Sequence, residues 1–546
     1  MNSKRSRSAC PGLGAAASRR DFLRYGGGVA GASLLGAYWP RSAQAQSATT
    51  YDYYISTTGS DSNAGTLAAP WAITSLLAGN ANQAKMAGKR VGVIAGTYEV
   101  MTLTGISSYP GSYSQAYLLV RGGSSAAPTV LASCNASGTY APVGNSSGAW
   151  AVLDGQGTSS NNSQGQPLIG GIGSGYAYLT IDGFEIINAY YHPIAVGYET
   201  GGYSTISTRN AGISIQNNYI HTFTNSLGGA NATGITLYAT TGAVIQNNYI
   251  TGISDTSNRA TGIECWNTDN VMIQYNTLIS TSNQQVGGIF IKNEGNYQNT
   301  VRFNHVDLTA SGTSVSGSGG ICIDLSGTSS NITSVYNNVV ISDNPVFSYA
   351  ISVDGWPNSV ENQLWYNNTF VGIPGSSGVF FVRYGASATI THYNNIYAVH
   401  SVGFRGTFNT SGAGGGGTCA LALSDYNCFQ TVSLGLTANG TNNTPTLYTS
   451  LSTWTSALAT ATVGKDAHSL AANPLFVATG SGPLYYQLAV GSPCSGKGST
   501  TGTSSGSTTD MGAWGNGATQ IGSSFAPGGG SALPVPNSPT SLKVVS

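Results

Sequence analysis

The stretch Gln216-Asn217-Asn218-Tyr219-Ile220 decides the fold, because variants of it return along most of the chain. Its copies are Gln246–Ile250, Gln274–Leu278, Arg302–Val306, Tyr336–Val340, Tyr366–Phe370, Tyr393–Tyr397 and Asp425–Phe429. The asparagines at the third position are separated by 30, 28, 28, 34, 30, 27 and 32 residues. A recurring period in this range indicates a repeat architecture, in which each unit buries its apolar face by stacking on its neighbours.

The paired asparagines predict a turn. Asparagine adopts the left-handed backbone region more readily than other non-glycine residues, so it suits a tight turn between two strands. Asparagines that stack in register can also hydrogen-bond to one another along the stack. We therefore expect each copy to be a turn that contributes one step of an asparagine ladder.

A second motif precedes the asparagine of each repeat by 14 to 18 residues. Its copies are Gly234–Tyr238, Gly262–Trp266, Gly288–Lys292, Gly320–Asp324, Ala350–Asp354 and Gly378–Val382. The second and fourth residues are mostly branched and apolar, whereas the third and fifth vary. This period of two predicts a strand that buries one face.

Short strands and turns with this period resemble the right-handed parallel β-helix of the pectin-lyase-like superfamily, with its asparagine ladder. The clear repeats cover residues 176–430. The resemblance implies an all-β, single-stranded right-handed parallel β-helix with an N-terminal cap, including a short helix between Ile73 and Ala87. It also implies that a polysaccharide binds along the face formed by the second motif.

The first 45 residues read as an export signal. They contain Ser18-Arg19-Arg20-Asp21-Phe22-Leu23, an apolar run from Tyr25 to Trp39, and the small-residue site Ala43-Gln44-Ala45. This pattern predicts a twin-arginine signal peptide at 1–45 and a secreted or periplasmic protein without a membrane segment after cleavage. Residues 46–522 are predicted to form the β-helix, and 523–546, rich in Gly, Pro and Ser, a flexible tail.

The composition narrows the class of partner. Of the 20 basic and 20 acidic residues, seven basic residues and one acid lie in the predicted signal peptide, which leaves 13 and 19 and a net charge of about −6. This balance argues against nucleic acid. A surface poor in charge and rich in hydroxyl, amide and aromatic groups suits sugars, so we expect a monomer that binds a polysaccharide.

The chain has seven cysteines, of which Cys10 lies in the predicted signal peptide. Export permits disulfides, and Cys419 and Cys428 are close enough in sequence to pair. Cys265 falls at an inward strand position, where it is expected to be a small core residue.

The fifth position of the second motif is predicted to form an outward column, since stacked strands lie ~4.8 Å apart. The column contains Tyr238, Trp266, Lys292, Asp324, Asp354 and Val382. Glu264 belongs to the parallel column of third positions, Glu294 and Arg383 lie at the loop edges, and His192 lies at the edge of the groove. Tyr238 and Trp266 are predicted to stack on sugar rings, with Arg383 and His192 as further substrate contacts.

The first functional hypothesis is a polysaccharide lyase that acts by β-elimination on a uronate-containing glycan. Such a reaction needs a base, and a cation or dipoles to stabilise the enolate-like charge. Related lyases use Lys or Arg as the base, often with Ca²⁺ on nearby carboxylates. The resemblance thus implies Lys292 as the base, with Glu264, Glu294 and Asp324 as ligands of Ca²⁺.

Two other functions fit the same residues. A glycoside hydrolase would use Asp324 and Asp354, one repeat apart, as a retaining pair at ~5 Å, or Glu264 and Asp324 as an inverting pair at ~6.5–9.5 Å. A non-catalytic glycan-binding solenoid would use the column for affinity alone, since a fold does not fix a function. The charges could also form a row of surface salt bridges around Lys292.

Overall fold

The computed structural model describes residues 50–100, 103, 116–156, 167–173, 175–189, 191–197, 209–223, 232–253, 260–280, 286–294, 298–309, 319–326, 332–342, 349–354, 360–372, 380–383, 387–399, 419–430, 434–436, 446–457, 464–478, 486–502, 508–515 and 518–525. For some strand residues in these ranges it describes the backbone alone. The predicted signal peptide, residues 1–45, lies outside the described residues, as does most of the predicted tail.

The described strands are short, and most span three to seven residues. The first twenty, in chain order, are β1 (Tyr53–Ile55), β2 (Arg90–Ile94), β3 (Gly96–Glu99), β4 (Leu118–Leu119), β5 (Thr129–Cys134), β6 (Ala151–Asp154), β7 (Ile169–Ile172), β8 (Leu179–Asp182), β9 (Glu185–Ile187), β10 (Ile194–Gly197), β11 (Asn210–Ala211), β12 (Ser214–Gln216), β13 (Tyr219–His221), β14 (Ala232–Tyr238), β15 (Thr240–Thr241), β16 (Val244–Gln246), β17 (Tyr249–Thr251), β18 (Ala260–Trp266), β19 (Val271–Gln274) and β20 (Thr277–Ile279). The others are β21 (Val286–Glu294), β22 (Asn299–Arg302), β23 (His305–Leu308), β24 (Gly319–Ser326), β25 (Ile332–Tyr336), β26 (Val339–Ser342), β27 (Tyr349–Asp354), β28 (Val360–Tyr366), β29 (Thr369–Gly372), β30 (Phe380–Arg383), β31 (Ser387–Tyr393), β32 (Ile396–Val399), β33 (Cys419–Asp425), β34 (Cys428–Phe429), β35 (Leu434–Leu436), β36 (Thr446–Tyr448), β37 (Leu470–Ala471), β38 (Gly498–Ser499) and β39 (Thr508–Thr509).

Three large parallel sheets contain most of these strands. Sheet 1 has the order β1-β2-β5-β8-β12-β16-β19-β22-β25-β28-β31-β33, sheet 2 the order β30-β27-β24-β21-β18-β14-β10-β7-β4, and sheet 3 the order β3-β6-β9-β13-β17-β20-β23-β26-β29-β32-β34-β37. Successive repeats are neighbours in each sheet, and β16, β17 and β18 show how one coil adds one strand to each. The predicted parallel β-helix is confirmed.

The core consists of aliphatic columns that run along the solenoid. The column from sheet 2 contains Ile235, Ile263, Ile289 and Ile321. The column from sheet 3 contains Ile220, Ile250, Leu278, Val306 and Val340. All of these side chains are fully buried. Burying one such side chain contributes about 1.5–3 kcal/mol relative to leaving it exposed. A single coil has no partner for its inward face, so the stabilisation comes from stacking.

The glycine that opens the second motif is required by this stacking. A Cβ atom added to Gly262 would lie 2.1 Å from Cδ2 of Leu278, and one added to Gly288 would lie 2.2 Å from the carbonyl oxygen of Gly320. Neither approach is possible for a real side chain. The glycine therefore leaves room for the core side chain of Leu278 at Gly262 and for the backbone of the next coil at Gly288.

The two asparagines of the first motif have different roles. The first lies in the left-handed region, with φ of 56° at Asn217 and 52° at Asn247. In other coils Tyr275 and Phe303 occupy this position with φ of 55° and 54°, so asparagine is not essential there. The predicted turn is confirmed, and its left-handed residue precedes the ladder.

The second asparagine forms the ladder. Its members are Asn218, Asn248, Asn276, Asn304, Asn338, Asn368, Asn395 and Asn427, all fully buried. The Nδ2 group of each donates to Oδ1 of the next over 2.9–3.3 Å. Asn276 Nδ2 also donates to the carbonyl oxygens of Ile245 and Gln274, at 3.0 Å each. The predicted ladder therefore ties each coil to the next.

The ladder ends on a buried carboxyl group. Nδ2 of Asn427 donates to Asp466 Oδ1 over 3.1 Å, and the backbone N–H of Asn427 donates to Ser469 Oγ over 2.8 Å. Asp466 also accepts from Ser424 Oγ and from Trp454 Nε1, at 2.6 and 2.9 Å. Because Asp466 accepts at both oxygens, it ends the row of amide donors.

The described helices are short. They are a 3₁₀ helix at Ile73–Leu76, α1 (Ala81–Met86) and α2 (Leu451–Ala457). The single helix predicted from Ile73 to Ala87 is thus two separate helices, and Leu76 and Met86 from them join the main core. Among the described residues, no helix combines the length and apolarity that crossing a membrane requires.

A C-terminal segment, residues 494–502, 508–515 and 518–525, runs back along the outside of the left-handed turns. Asn394, Asn367 and Asn337 donate from Nδ2 to the backbone oxygens of Ser499, Asp510 and Ala513 over 2.6–3.0 Å. Further along, Ser523 N donates to Thr277 Oγ1 and Ser524 N to Asn247 Oδ1. Ser523 and Ser524, assigned to the tail by sequence, therefore belong to this segment.

The backbone separates Cys419 from Cys428, although the two are close in sequence. Cys419 begins β33, and six residues of extended strand separate it from Asp425, roughly 20 Å at 3.3 Å per residue. Cys428 follows after the turn in sheet 3, where its neighbour is Cys494. Cys265 is fully buried in the core, as predicted.

We predict that Asn276→Ala destabilises the protein more than Gln246→Ala. Gln246 belongs to a half-buried amide ladder on the outer surface, where it donates to Gln216 and accepts from Gln274 over 3.0 and 2.8 Å. Removing Asn276 leaves buried groups unpaired, at about 1–3 kcal/mol each, whereas water can replace the partners of Gln246. Guanidinium unfolding midpoints of both variants check this, and equal losses would contradict it.

Candidate functional site

The outward column of sheet 2 is built by strand register. Tyr238 pairs with Trp266, Trp266 with Lys292, and Lys292 with Asp324. Ile323 pairs with Val353, which places Asp324 beside Asp354, and Asp354 pairs with Arg383. The outward column therefore consists of Tyr238, Trp266, Lys292, Asp324, Asp354 and Arg383. For Asp324, Asp354, Arg383 and Glu294 the structure describes the backbone alone.

The structure corrects one member of this column. Val382 pairs with Val353 and so lies in the alternate column, while Arg383 takes the outward position that was predicted for Val382. The sequence alignment placed Gly378 at the start of the motif, but Phe380 is the residue in register with Ile351. A shift of one residue exchanges the two faces of a strand, which is why the error moved a charged residue out of the column.

Lys292 and Trp266 form the described contact of the column. The Nζ atom of Lys292 lies 4.3 Å from the centroid of the Trp266 ring, and both side chains are half-buried. A cation at this distance from an indole face is stabilised by about 0.5–2 kcal/mol, more when water is excluded. The stack orders the lysine stem.

Glu264 does not share the exposure of this column. It is in register with Thr236 and Phe290, and it is only 3 % exposed. Its Oε2 accepts a hydrogen bond from Thr233 Oγ1 over 3.0 Å. The carboxyl group is therefore hydrogen-bonded within the protein, although it lies on the same face of β18 as Trp266.

One of the three predicted calcium ligands, Glu264, is hydrogen-bonded within the protein. The side chains of Glu294 and Asp324 are outside the description, and Glu264 is buried against Thr233. No group of three His, Cys, Asp or Glu side chains is placed to hold a metal ion in the described parts of the chain. Calcium binding stays a prediction, and the reaction proposed for this site does not use it.

His192 is also buried, at 4 % exposure. Its Nδ1 lies 3.3 Å from Thr236 Oγ1 and 3.4 Å from the carbonyl oxygen of Thr233, and the Tyr191 ring centroid lies 3.8 Å from its own. Burial lowers the pKa of His192 to about 3, so the ring is neutral at physiological pH. A direct contact with a glycan needs exposure that His192 lacks.

Two threonines that the sequence reasoning missed connect these groups. Thr233 contacts both His192 and Glu264, and Thr236 contacts His192. We call His192, Thr233, Thr236 and Glu264 the buried polar cluster. A signal was present, because Ala-Thr-Gly-Ile occurs in both Ala232–Ile235 and Ala260–Ile263, with fully buried threonines.

The outward column suits an extended polymer. Successive positions of the column lie ~4.8 Å apart, with the rings of Tyr238 and Trp266 and then Lys292, followed by the backbone positions of Asp324, Asp354 and Arg383. Beside it, the buried polar cluster links β14 to β18 and to His192. Such a row can bind sugar rings and place acid, base or charge-stabilising groups at one of them.

We predict that His192 makes the protein acid-labile. Its folded pKa of about 3 lies below the ordinary value of 6.5, so the unfolded chain binds more protons between these values. The stabilisation of the folded protein by neutral His192 is complete above pH 6.5 and is lost as the pH falls towards 3. Between pH 8 and pH 5 the loss is about 2 kcal/mol. Unfolding free energies of the wild type and His192→Gln, measured in urea at both pH values, check this.

The variant should therefore lose about 2 kcal/mol less than the wild type between pH 8 and pH 5. The comparison at pH 8, where histidine is neutral in both states, reports the packing cost of the substitution separately. Equal losses in the two proteins would show that His192 is not kept neutral by folding. Burial also lowers the pKa of His305 and His392, so the acid lability of the variant should be reduced but not abolished.

Comparison with known proteins yields structural likeness only. No family model and no curated protein matches the chain. Solved structures that resemble it are a rhamnogalacturonan lyase (14 % identity, TM-score 0.36, 64 % of this chain and 82 % of that one), the pectate lyase Pel9A (14 %, 0.38, 85 % and 95 %) and XylC in complex with xylose (11 %, 0.33, 64 % and 75 %). At these scores the likenesses carry no argument about activity. The parallel β-helix is established by strand register.

Proposed function

We propose that the protein is a polysaccharide lyase that cleaves a uronate-containing glycan by β-elimination, with the glycan lying along the outward column. The observation that carries this proposal is the Lys292 ammonium group held 4.3 Å from the Trp266 ring, in register with Tyr238 and Asp324. The sequence resemblance to the pectin-lyase-like superfamily supports the same class. Export by the twin-arginine route and action as a monomer remain part of the proposal.

The Trp266–Lys292 pair favours an acidic sugar. An indole face can stack on the apolar face of a sugar ring. The neighbouring ammonium group supplies a charge and three donors, which suit a carboxylate more than a neutral hydroxyl. Tyr238, one strand earlier, extends the aromatic surface to the next sugar.

In β-elimination, a base removes the proton from the carbon beside the uronate carboxylate. The electron pair forms a carbon–carbon double bond, and the bond from the neighbouring carbon to the glycosidic oxygen breaks. The departing oxygen takes up a proton, and the new end carries an unsaturated sugar. The carboxylate bears enolate-like charge in the transition state, so a fixed cation beside it lowers the barrier.

Two assignments of the base follow. The resemblance gives Lys292 that role, whereas its stack on Trp266 places its amino group beside the ring on which a sugar would stack, where it can donate hydrogen bonds to the uronate carboxylate. We therefore assign Lys292 to the uronate carboxylate and the proton transfer to Asp324, the next residue in the outward column. An activity that rises through the acidic range supports Asp324 as the base, whereas one that rises only above about pH 9 supports Lys292.

A retaining glycoside hydrolase is the second candidate, and strand register favours it. Asp324 and Asp354 lie on adjacent strands, whose backbones are ~4.8 Å apart. A retaining pair needs carboxyl groups ~5–5.5 Å apart. The inverting pair of Glu264 and Asp324 is less suitable, because Glu264 is buried. A non-catalytic glycan-binding solenoid would use the aromatic and charged residues without either reaction.

We predict that the purified protein generates ultraviolet absorbance from unsaturated ends with at least one uronate polymer among pectate, alginate and glucuronan. Lys292→Ala and Asp324→Asn should each reduce the rate by at least ~100-fold, since each removes a charge that acts in the transition state. Lys89→Ala is the matched control, because Lys89 lies in an exposed pair with Asp52 beside β2, several coils before β21, and the substitution should leave the rate unchanged.

The products distinguish the three functions. New reducing ends without ultraviolet absorbance, abolished by Asp324→Asn and by Asp354→Asn, would replace the lyase by the hydrolase. Glycan binding without cleavage would leave the non-catalytic solenoid. If Lys292→Ala keeps full activity, Lys292 has no role in the reaction, whichever polymer is cleaved. Parallel assays with added Ca²⁺ and with a chelator test the calcium prediction independently.

A further inference from the structure

Cys428 and Cys494 come together where the C-terminal segment leaves the end of the solenoid. Cys428 begins β34, the strand of sheet 3 that pairs with β32 and β37. Cys494 stands at the start of the C-terminal segment, and its carbonyl oxygen accepts a hydrogen bond from Met511 N over 3.1 Å. The two cysteines are 66 positions apart in sequence, so the fold alone makes them neighbours.

The two sulfurs share one dry environment. Both residues are fully buried and belong to a cluster that includes Ile396, Tyr486 and Met511. The thiol of Cys428 lies within hydrogen-bond reach of the thiol of Cys494, and it also lies 3.4 Å from the carbonyl oxygen of Ala472. None of the other cysteines with a described side chain, Cys134, Cys265 and Cys322, belongs to this cluster.

We infer that Cys428 and Cys494 form a disulfide that fastens the C-terminal segment to the last coils of the solenoid. The contact between the thiols and the length of chain that they connect support this inference. Exported proteins meet conditions in which disulfides persist. The bond would close a long loop that contains α2, β37 and Asp466, which ends the asparagine ladder.

The reaction needs a disulfide oxidant, such as oxidised glutathione or a disulfide-exchange protein. One cysteine, as a thiolate, attacks the oxidant and forms a mixed disulfide, and the second then displaces the reduced carrier. Two S–H bonds are lost, one S–S bond forms, and the oxidant takes up two electrons and two protons. The hydrogen bond with Cys494 and burial both raise the pKa of the Cys428 thiol, so exchange in the folded protein is slow.

Peptide mapping tests this inference directly. The purified full chain is unfolded, refolded in a glutathione redox buffer, alkylated in denaturant and digested with trypsin. Cleavage at Arg405, Lys465 and Lys497 separates residues 406–465, which contain Cys419 and Cys428, from residues 466–497, which contain Cys494. We expect these two peptides as one linked species, 2 Da lighter than their sum, that separates on reduction.

Three serine variants identify the cysteines in the link. Cys419→Ser should retain the linked species, whereas Cys428→Ser and Cys494→Ser should each abolish it. Peptide 406–465 with an internal bond would instead show that Cys419 and Cys428 pair. Alkylation of both Cys428 and Cys494 after refolding in the redox buffer would overturn the proposal, and retention of the link in Cys428→Ser would assign it to Cys419.

The effect of the bond is measured on the wild type without a substitution. The oxidised protein should melt a few degrees higher than the same protein after full reduction, because the bond restricts the unfolded chain. Proteolysis should cut residues 494–525 first in the reduced form. Identical melting and identical cleavage of the two forms would show that the bond does not fasten this segment. These readouts do not depend on glycan cleavage, so they stand or fall separately from the proposed function.

Discussion

The asparagine ladder is the interaction on which the rest of the structure depends. A parallel sheet can slip by two residues without exposing its apolar face, so side-chain alternation alone does not fix the register of a solenoid. The ladder removes this freedom, because each buried amide must meet the oxygen of the next, from Asn218 to Asn427. One misplaced coil would leave several buried polar groups unpaired, at about 1–3 kcal/mol each.

The asparagine ladder fixes the register of the coils at one turn, and this register also positions the candidate site on sheet 2. The residues of the outward column come from separate coils with loops of different length between them, yet Tyr238, Trp266 and Lys292 occupy equivalent positions. Loop variation is therefore absorbed without moving the column. The buried polar cluster links β14 to β18 and to His192, whose neutral ring makes these contacts without a charge to solvate.

Structural features could be predicted from the sequence wherever every coil needs the same type of residue at the same position. The ladder, the inward aliphatic columns and the outward positions from Tyr238 to Asp324 could be predicted, since each needs the same residue type or the same face in every coil. Val382 was misplaced because the motif letters fade there, and only the backbone pairing distinguishes it from Arg383. The burial of Glu264 and His192 depends on packing between distant segments, and so does the contact of Cys428 with Cys494. The repeat pattern of the sequence does not predict such packing.

The end of the ladder at Asp466 gives the solenoid a direction. Every amide donates towards the C-terminal end, so the aligned dipoles direct their positive ends at Asp466, as in the stabilising encounter of a helix dipole with an opposite charge. A coil added beyond Asp466 would find no asparagine amide to continue the ladder. A coil that carries a ladder asparagine and is inserted between two others would re-form every hydrogen bond of the ladder. The length of this fold can therefore change by whole internal coils, with both ends kept.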